Sequence, residues 1–184
     1  MTANPLLTFM FSLLILLLLV LLWISYLGVK AAKKKKYKRI NAYEKIASDD
    51  RFKEHKPFRT INAKEFMVVS DIGYLYFYPQ DRTINIKDIN SFKVSQNGIT
   101  LYEKSKDSVT EALQMKKTKI ADVHVIFNVN DFKSSHIVFN ILKGPAPNTI
   151  IQAKTTEIIN ELLSTLEYLN DEANIAQKVI DRDF

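Results

Sequence analysis

The chain has 184 residues, a formal net charge of +6, 47% hydrophobic residues and no cysteine. The missing cysteines exclude thiolate nucleophiles and cysteine metal sites, and they fit a reducing compartment. Four scattered glycines, Gly28, Gly73, Gly98 and Gly144, exclude a glycine-rich phosphate cradle, and neither HExxH nor GxSxG occurs.

Residues 6–29 carry no ionisable side chain except Tyr26, and Leu13 to Leu22 contains only Leu, Ile and Val. As a helix these 24 residues reach about 36 Å, enough to cross a bilayer. A cleavable signal needs a positive leader and a short apolar core. Here the tail 1–5 is uncharged, the core is long, and a basic block follows it: Lys30, Lys33, Lys34, Lys35, Lys36, Lys38 and Arg39. The expectation is an uncleaved transmembrane helix over 6–29. Positive charge beside a span stays cytoplasmic, so the N-terminus is expected outside and residues 40–184 in the cytoplasm. No acid, base or proline interrupts the span, and only Thr8 with Ser12 approaches small-residue spacing. That describes an anchor rather than a channel or a pairing helix.

The basic block holds seven charges and no acid precedes Ile40, so removing it from the total of +6 leaves residues 40–184 at −1. A nucleic-acid domain carries its basic footprint on the folded part; this one is nearly neutral, and no nucleic-acid partner is expected. The lysines read instead as a membrane-surface element that sets topology and faces anionic headgroups.

Residues 30–63 read as the basic juxtamembrane segment followed by a connecting helix. Ile40, Tyr43, Ile46 and Ala47 give its helical spacing, and Asp49, Asp50 and Pro57 end it. Residues 64–184 form one soluble domain. From Glu65 the period changes to two: Phe66 to Ser70, Tyr74 to Tyr78 and Thr83 to Lys87 are strands separated by Asp71-Ile72-Gly73 and Pro79-Gln80-Asp81. Phe92 to Ser95 and Ile99 to Tyr102 flank Asn97-Gly98, a hairpin signal because both residues tolerate positive φ. Residues 103–118 are polar and read as a loop with at most one helical turn around Val109 to Met115. Two longer strands follow, one with Val123, Val125, Phe127 and Val129 on a single face, the other with Ile137, Phe139 and Ile141. A hairpin loop over Asn130 to Ser135 joins them. After Gly144-Pro145-Ala146-Pro147, residues Ile158, Ile159, Leu162, Leu163, Leu166 and Leu169 form the stripe of an amphipathic helix, extended by Ala173 to Ile180.

The fold class is therefore α+β: an N-terminal transmembrane helix, then about seven antiparallel strands and a final helix. Residues 64–169, by strand order, the Asn97-Gly98 turn and the closing helix, resemble the pleckstrin-homology-like fold. In that fold a strongly bent sheet is capped by its C-terminal helix. Small bacterial single-pass membrane proteins with such cytoplasmic domains are the group the chain is similar to. The resemblance implies an inner (plasma) membrane location and a binding role. Phosphoinositide-binding members place bases around the first strand turn, whereas Ser70-Asp71-Ile72-Gly73 carries an acid and no base, which weighs against headgroup recognition.

Three constellations invite chemistry. His124 and His136 lie on the more polar face of adjacent strands and, with Asp122 or Asp131, make the set for a metal-binding or membrane-surface enzyme reading. Asp49, Asp50 and Glu54 beside His55 are explained by capping and a solvated surface. Tyr74, Tyr76 and Tyr78 share one strand face and offer a partner surface, or pack across the outer sheet or under the connecting helix. The leading expectation is a non-enzymatic interaction module with no cofactor, binding a protein or peptide partner beside the bilayer, with strand addition to an open edge as one mode. The alternatives are the histidine-based enzyme and anionic-lipid sensing by the lysines.

Overall fold

A computed structural model describes residues 5–61, 64–105, 109–110, 121–130, 135–145 and 149–180. The chain divides into two compact units, Met1–Glu44 and Lys45–Phe184.

The first unit is helical. Helix α1 runs unbroken over Pro5–Ala47, its last turn falling in the second unit. The apolar stretch, the basic segment and the connecting helix up to Ala47 are one continuous helix. Lysines continue the helix because an unbranched side chain loses little rotamer freedom there. At 1.5 Å per residue the helix is about 65 Å long, roughly twice the hydrocarbon thickness of a bilayer. Its apolar side chains from Leu13 to Leu22 are all exposed. The helix is long and apolar enough to span a membrane, with a mean hydropathy of 2.7 in its most apolar window.

In the second unit the described residues form nine strands in two antiparallel sheets, not one bent sheet of about seven. The first sheet has the order β1 (His55–Arg59), β2 (Phe66–Ser70), β3 (Tyr74–Tyr78) and β4 (Arg82–Asn85). The second comprises β5 (Ile89–Gln96), β6 (Ile99–Ser105), β7 (Val109–Thr110), β8 (Val123–Val129) and β9 (His136–Leu142), in the order β7-β6-β5-β8-β9. All seven runs read from the sequence contain a strand, though the third, expected over Thr83 to Lys87, ends at Asn85, and Ile86 and Lys87 turn into a 3-10 helix instead. The two additions have identifiable causes. Strand β1 contains Pro57, read as a breaker, but β1 is an edge strand, where a missing N–H costs no ladder bond. Strand β7 lies in the stretch read as a loop and pairs Thr110 with Glu103 and Val109 with Lys104. Residues 111–115 of the helical turn expected there lie outside the described residues, as do 131–134 of the hairpin loop.

A 3-10 turn, Ile86–Asp88, separates the sheets; Asn85 caps it by accepting from the Lys87 N–H at 3.0 Å. The β5–β6 hairpin closes on Asn97 and Gly98, at φ 51° and 78°, the double positive-φ geometry that the dipeptide favours. Gly73 is required twice over: its φ is +84°, and a Cβ there would meet Ile86 Cγ2 at 2.9 Å. Helix α2 spans Thr149–Ile180, so the expected extension through Ile180 is helical.

One hydrophobic core joins both sheets to α2. Met67, Val69, Leu75 and Phe77 come from the first sheet, and Phe92, Val125, Phe127 and Phe139 from the second. Ile159, Leu162, Leu166 and Leu169 enter from the helix. Phe77 meets Phe127 edge-on at 5.2 Å between centroids. Leu162 and Leu166 are fully buried, each contributing about 1.5–3 kcal/mol by leaving water. Polar bonds reinforce the packing of α2: the Tyr102 hydroxyl donates to Glu167 Oε1 at 2.5 Å, and Lys56 pairs with Glu161 at 2.8 Å.

Candidate functional site

Strand β2 is buried along its whole length, so the outer face of the first sheet is also covered. Met67 and Val69 face the core, which by the two-residue period leaves Phe66, Val68 and Ser70 on the outer face. The 3-10 turn Asp50–Phe52 leans on that face with Phe52 fully buried. Ser70 Oγ donates to the Arg51 carbonyl at 2.5 Å, and the Asp71 N–H donates to the Glu54 carbonyl at 3.1 Å. Asp49 caps the turn and grips Arg51, accepting from its Nη2 at 2.7 Å. The Arg51 side chain and backbone together hold the Asp49 carboxyl down to about 2. Capping, read from the sequence as one role of this acidic cluster, is the role Asp49 plays.

The tyrosines follow from this cover. Tyr76 is buried, with its hydroxyl donating to Asp81 Oδ1 at 2.9 Å. Burial first, then that bond, pushes its phenol pKa well up. The Tyr78 ring stacks on Phe66 at 5.0 Å, and Arg51 lies 5.5 Å from the Tyr74 ring centroid. The three share a face as the alternation requires, but packing across the sheet takes most of their surface.

The histidines are not brought together. His124 pairs with Asn140 and His136 with Asn128, four positions apart on the ladder, about 13 Å at the rise of a strand. Asp131 lies outside the described residues. Among the described residues no three His, Asp or Glu side chains are placed to hold a metal ion.

Edges for strand addition are limited by covering loops. On β9, the Val138 carbonyl accepts from Gln80 Nε2 at 3.0 Å, the Ile141 carbonyl from the Ile61 N–H at 3.0 Å, and Glu65 accepts from Asn140. Strand β1 is blunted by Pro57 and flanked by Lys56 and Arg59, which discourage pairing.

The lysines of α1 occupy all sides of the helix. Advancing about 100° per residue, Lys30, Lys33, Lys34, Lys35, Lys36 and Lys38 form a collar rather than a stripe. All six are exposed.

A surface trough of about 550 Å³ lies between the β1–β2 side of the first sheet and the C-terminal half of α2. Its sheet wall is Glu54, His55, Lys56, Val69, Ser70 and Asp71; its helix wall is Thr165, Tyr168, Leu169 and Glu172. The helix residues recur three and four apart, as one face demands. His55 is oriented by its Nδ1, which donates to the Phe52 carbonyl at 2.6 Å. Tyr168 is 61% exposed and its hydroxyl donates to Glu172 Oε1. That bond and the Glu172 charge raise its pKa. A second hollow of about 170 Å³ adjoins, sharing Asp71, Leu169 and Glu172 and reaching Ile72 and Lys87. Sequence reasoning noted Glu54 and His55 but had no means to join them to Tyr168 and Glu172, more than 110 positions away.

No family model, curated protein or solved structure matches this chain.

Proposed function

We propose that this chain is a single-pass membrane protein whose second unit binds a protein or peptide partner at the cytoplasmic face of a bacterial inner membrane, without catalysis. The observation that carries the reading is the union of α1, apolar on every side and then collared by lysine, with a domain of filled core and open, mixed-polarity trough. A helix with no polar stripe has no protein core to turn toward, and lipid is the environment that suits it. The lysine collar favours a cytoplasmic C-terminal domain. The pleckstrin-homology-like reading draws support from the antiparallel sheets followed by α2. The pairing of β5 with β8 departs from a simple meander. Lipid sensing by the collar is a lesser reading, since an anchored chain needs no further affinity for the surface.

The deciding experiment is affinity purification of the full-length protein from native membranes in mild detergent, followed by mass spectrometry. The expected result is a stoichiometric protein companion. Recovery of the protein alone overturns the proposal. Orientation is tested separately: with no native cysteine, Ser164→Cys is expected to resist membrane-impermeant thiol reagents in intact cells. Labelling there reverses the topology.

A further inference from the structure

The trough has the chemistry of a cation receptor. Three carboxylates line it, Glu54, Asp71 and Glu172. His55 and Lys56 are the bases on its wall and Lys87 stands at the adjoining hollow; Lys56 is paired with Glu161 at 2.8 Å, and nearby Arg51 with Asp49. The acids therefore outweigh the bases available to them. Tyr168 adds an aromatic face, 61% exposed, beside the Glu172 carboxylate to which its hydroxyl is bonded. A ring next to a carboxylate is the pairing that receives an ammonium or guanidinium group, through the ring quadrupole and the negative charge together. Val69 and Leu169 supply apolar wall, and Ile72, 60% exposed, stands at the adjoining hollow. Exposed apolar side chains scattered singly need no explanation, but Tyr168 lines the trough and Ile72 the adjoining hollow, and the two hollows share Asp71 and Glu172.

Resting on the interaction-module reading above, we propose that this trough binds a basic segment of a protein partner. A lysine or arginine side chain is received between Tyr168 and Glu172, and a neighbouring apolar side chain lies against Ile72. Charge complementarity selects the occupant: an anionic headgroup or an acidic peptide would meet three like charges, which is costly at short range. Its size is that of a pocket for a few side chains, within the range of about 300–1,000 Å³ usual for ligand sites, so a short linear segment suits it better than a flat interface.

The test is a polarisation titration of the full-length protein in phosphatidylcholine nanodiscs. Two labelled ten-residue probes share the same leucines and glycines; one carries four lysines and the other four glutamates. The lysine probe is expected to bind, to weaken about threefold with Glu172→Gln and again with Tyr168→Ala, and to be released by 1 M salt, where charges are screened beyond about 3 Å. Both substitutions are at exposed positions. Glu157→Gln, exposed on α2 away from the trough, is expected to change nothing. Equal binding of both probes, no binding of the lysine probe, or binding indifferent to Tyr168 and Glu172 overturns the proposal. Loss of concentration-dependent self-association in Tyr168→Ala also overturns it, by assigning the trough to a second copy. A companion that still co-purifies with the Tyr168→Ala, Glu172→Gln protein sinks the trough assignment alone and leaves the interaction module standing. Absence of any companion sinks the module.

Discussion

The chain's two long helices differ in how apolar residues are spread around their axes and in what surrounds them. In α1 the ten residues Leu13 to Leu22 cover every side of the helix, and all are exposed. In α2 the apolar residues recur three and four apart, and Ile159, Leu162, Leu166 and Leu169 are buried while Glu157, Asn160 and Glu161 stay outside. The angular spread of the apolar side chains decides the solvent a helix requires. A stripe about 100° wide can be buried by two sheets; a full cylinder can only be covered by lipid or by many partners. The polar ends differ in the same sense. Around α1 the lysines form a collar, while α2 carries Glu161 and Glu167 at the places where Lys56 and Tyr102 meet it.

Substitution at matched leucines gives the largest contrast. Leu166 is fully buried, so Leu166→Ala is expected to destabilise the second unit by about 2–5 kcal/mol through lost transfer energy and a residual cavity. Leu17→Ala in α1 is expected to leave that unit's urea midpoint unchanged, because Leu17 contributes nothing to the core. Equal effects at the two positions would end the distinction drawn between the helices. Charge then tests α1 in the medium proposed for it. Leu17→Arg near the middle of the proposed span is expected to cost about 3 kcal/mol of insertion, read as protein lost from the membrane fraction. Full retention in membranes would remove the span from the proposal.

How far the sequence could be read follows the same division between local and distant causes. The long apolar helix, seven of the nine strands, the Asn97-Gly98 hairpin and the stripe of α2 are all periodicities or dipeptides, and each was legible. Strand β1 was hidden because Pro57 argues against a strand unless its neighbour on one side is missing, and edge position is a tertiary fact. The break into two sheets depends on the capped turn at Ile86–Asp88 and on β8 returning to pair with β5, a choice made across about 30 residues of chain. The histidines were legible as a pair on polar faces but not in register, and a shift of four positions separates them. The trough was the least legible feature, since its two walls are encoded about a hundred residues apart.

The smallest expected effect concerns the polar clasp on α2, and pH is the means of isolating it. Tyr102 keeps its phenol proton well past the ordinary value of 10.0, first because burial disfavours the phenolate and then because its hydroxyl donates to Glu167. Tyr76 does the same through burial and Asp81. Above pH 10 the unfolded chain gives up these protons while the folded chain retains them, so the unfolded state binds fewer protons and stability falls as pH rises. The contribution is whole below pH 10 and is lost on the way up through the folded-state pKa. Tyr102→Phe is expected to lower stability at pH 7 by about 1.5–3 kcal/mol, the value of a hydrogen bond to a charged acceptor. Above pH 10 its stability should fall less steeply than that of the unmodified protein, so the two curves converge. Urea midpoints measured between pH 8 and 11.5 decide it. Parallel curves would mean that Tyr102 contributes shape alone, and that its bond to Glu167 is no part of what holds α2 against the sheets.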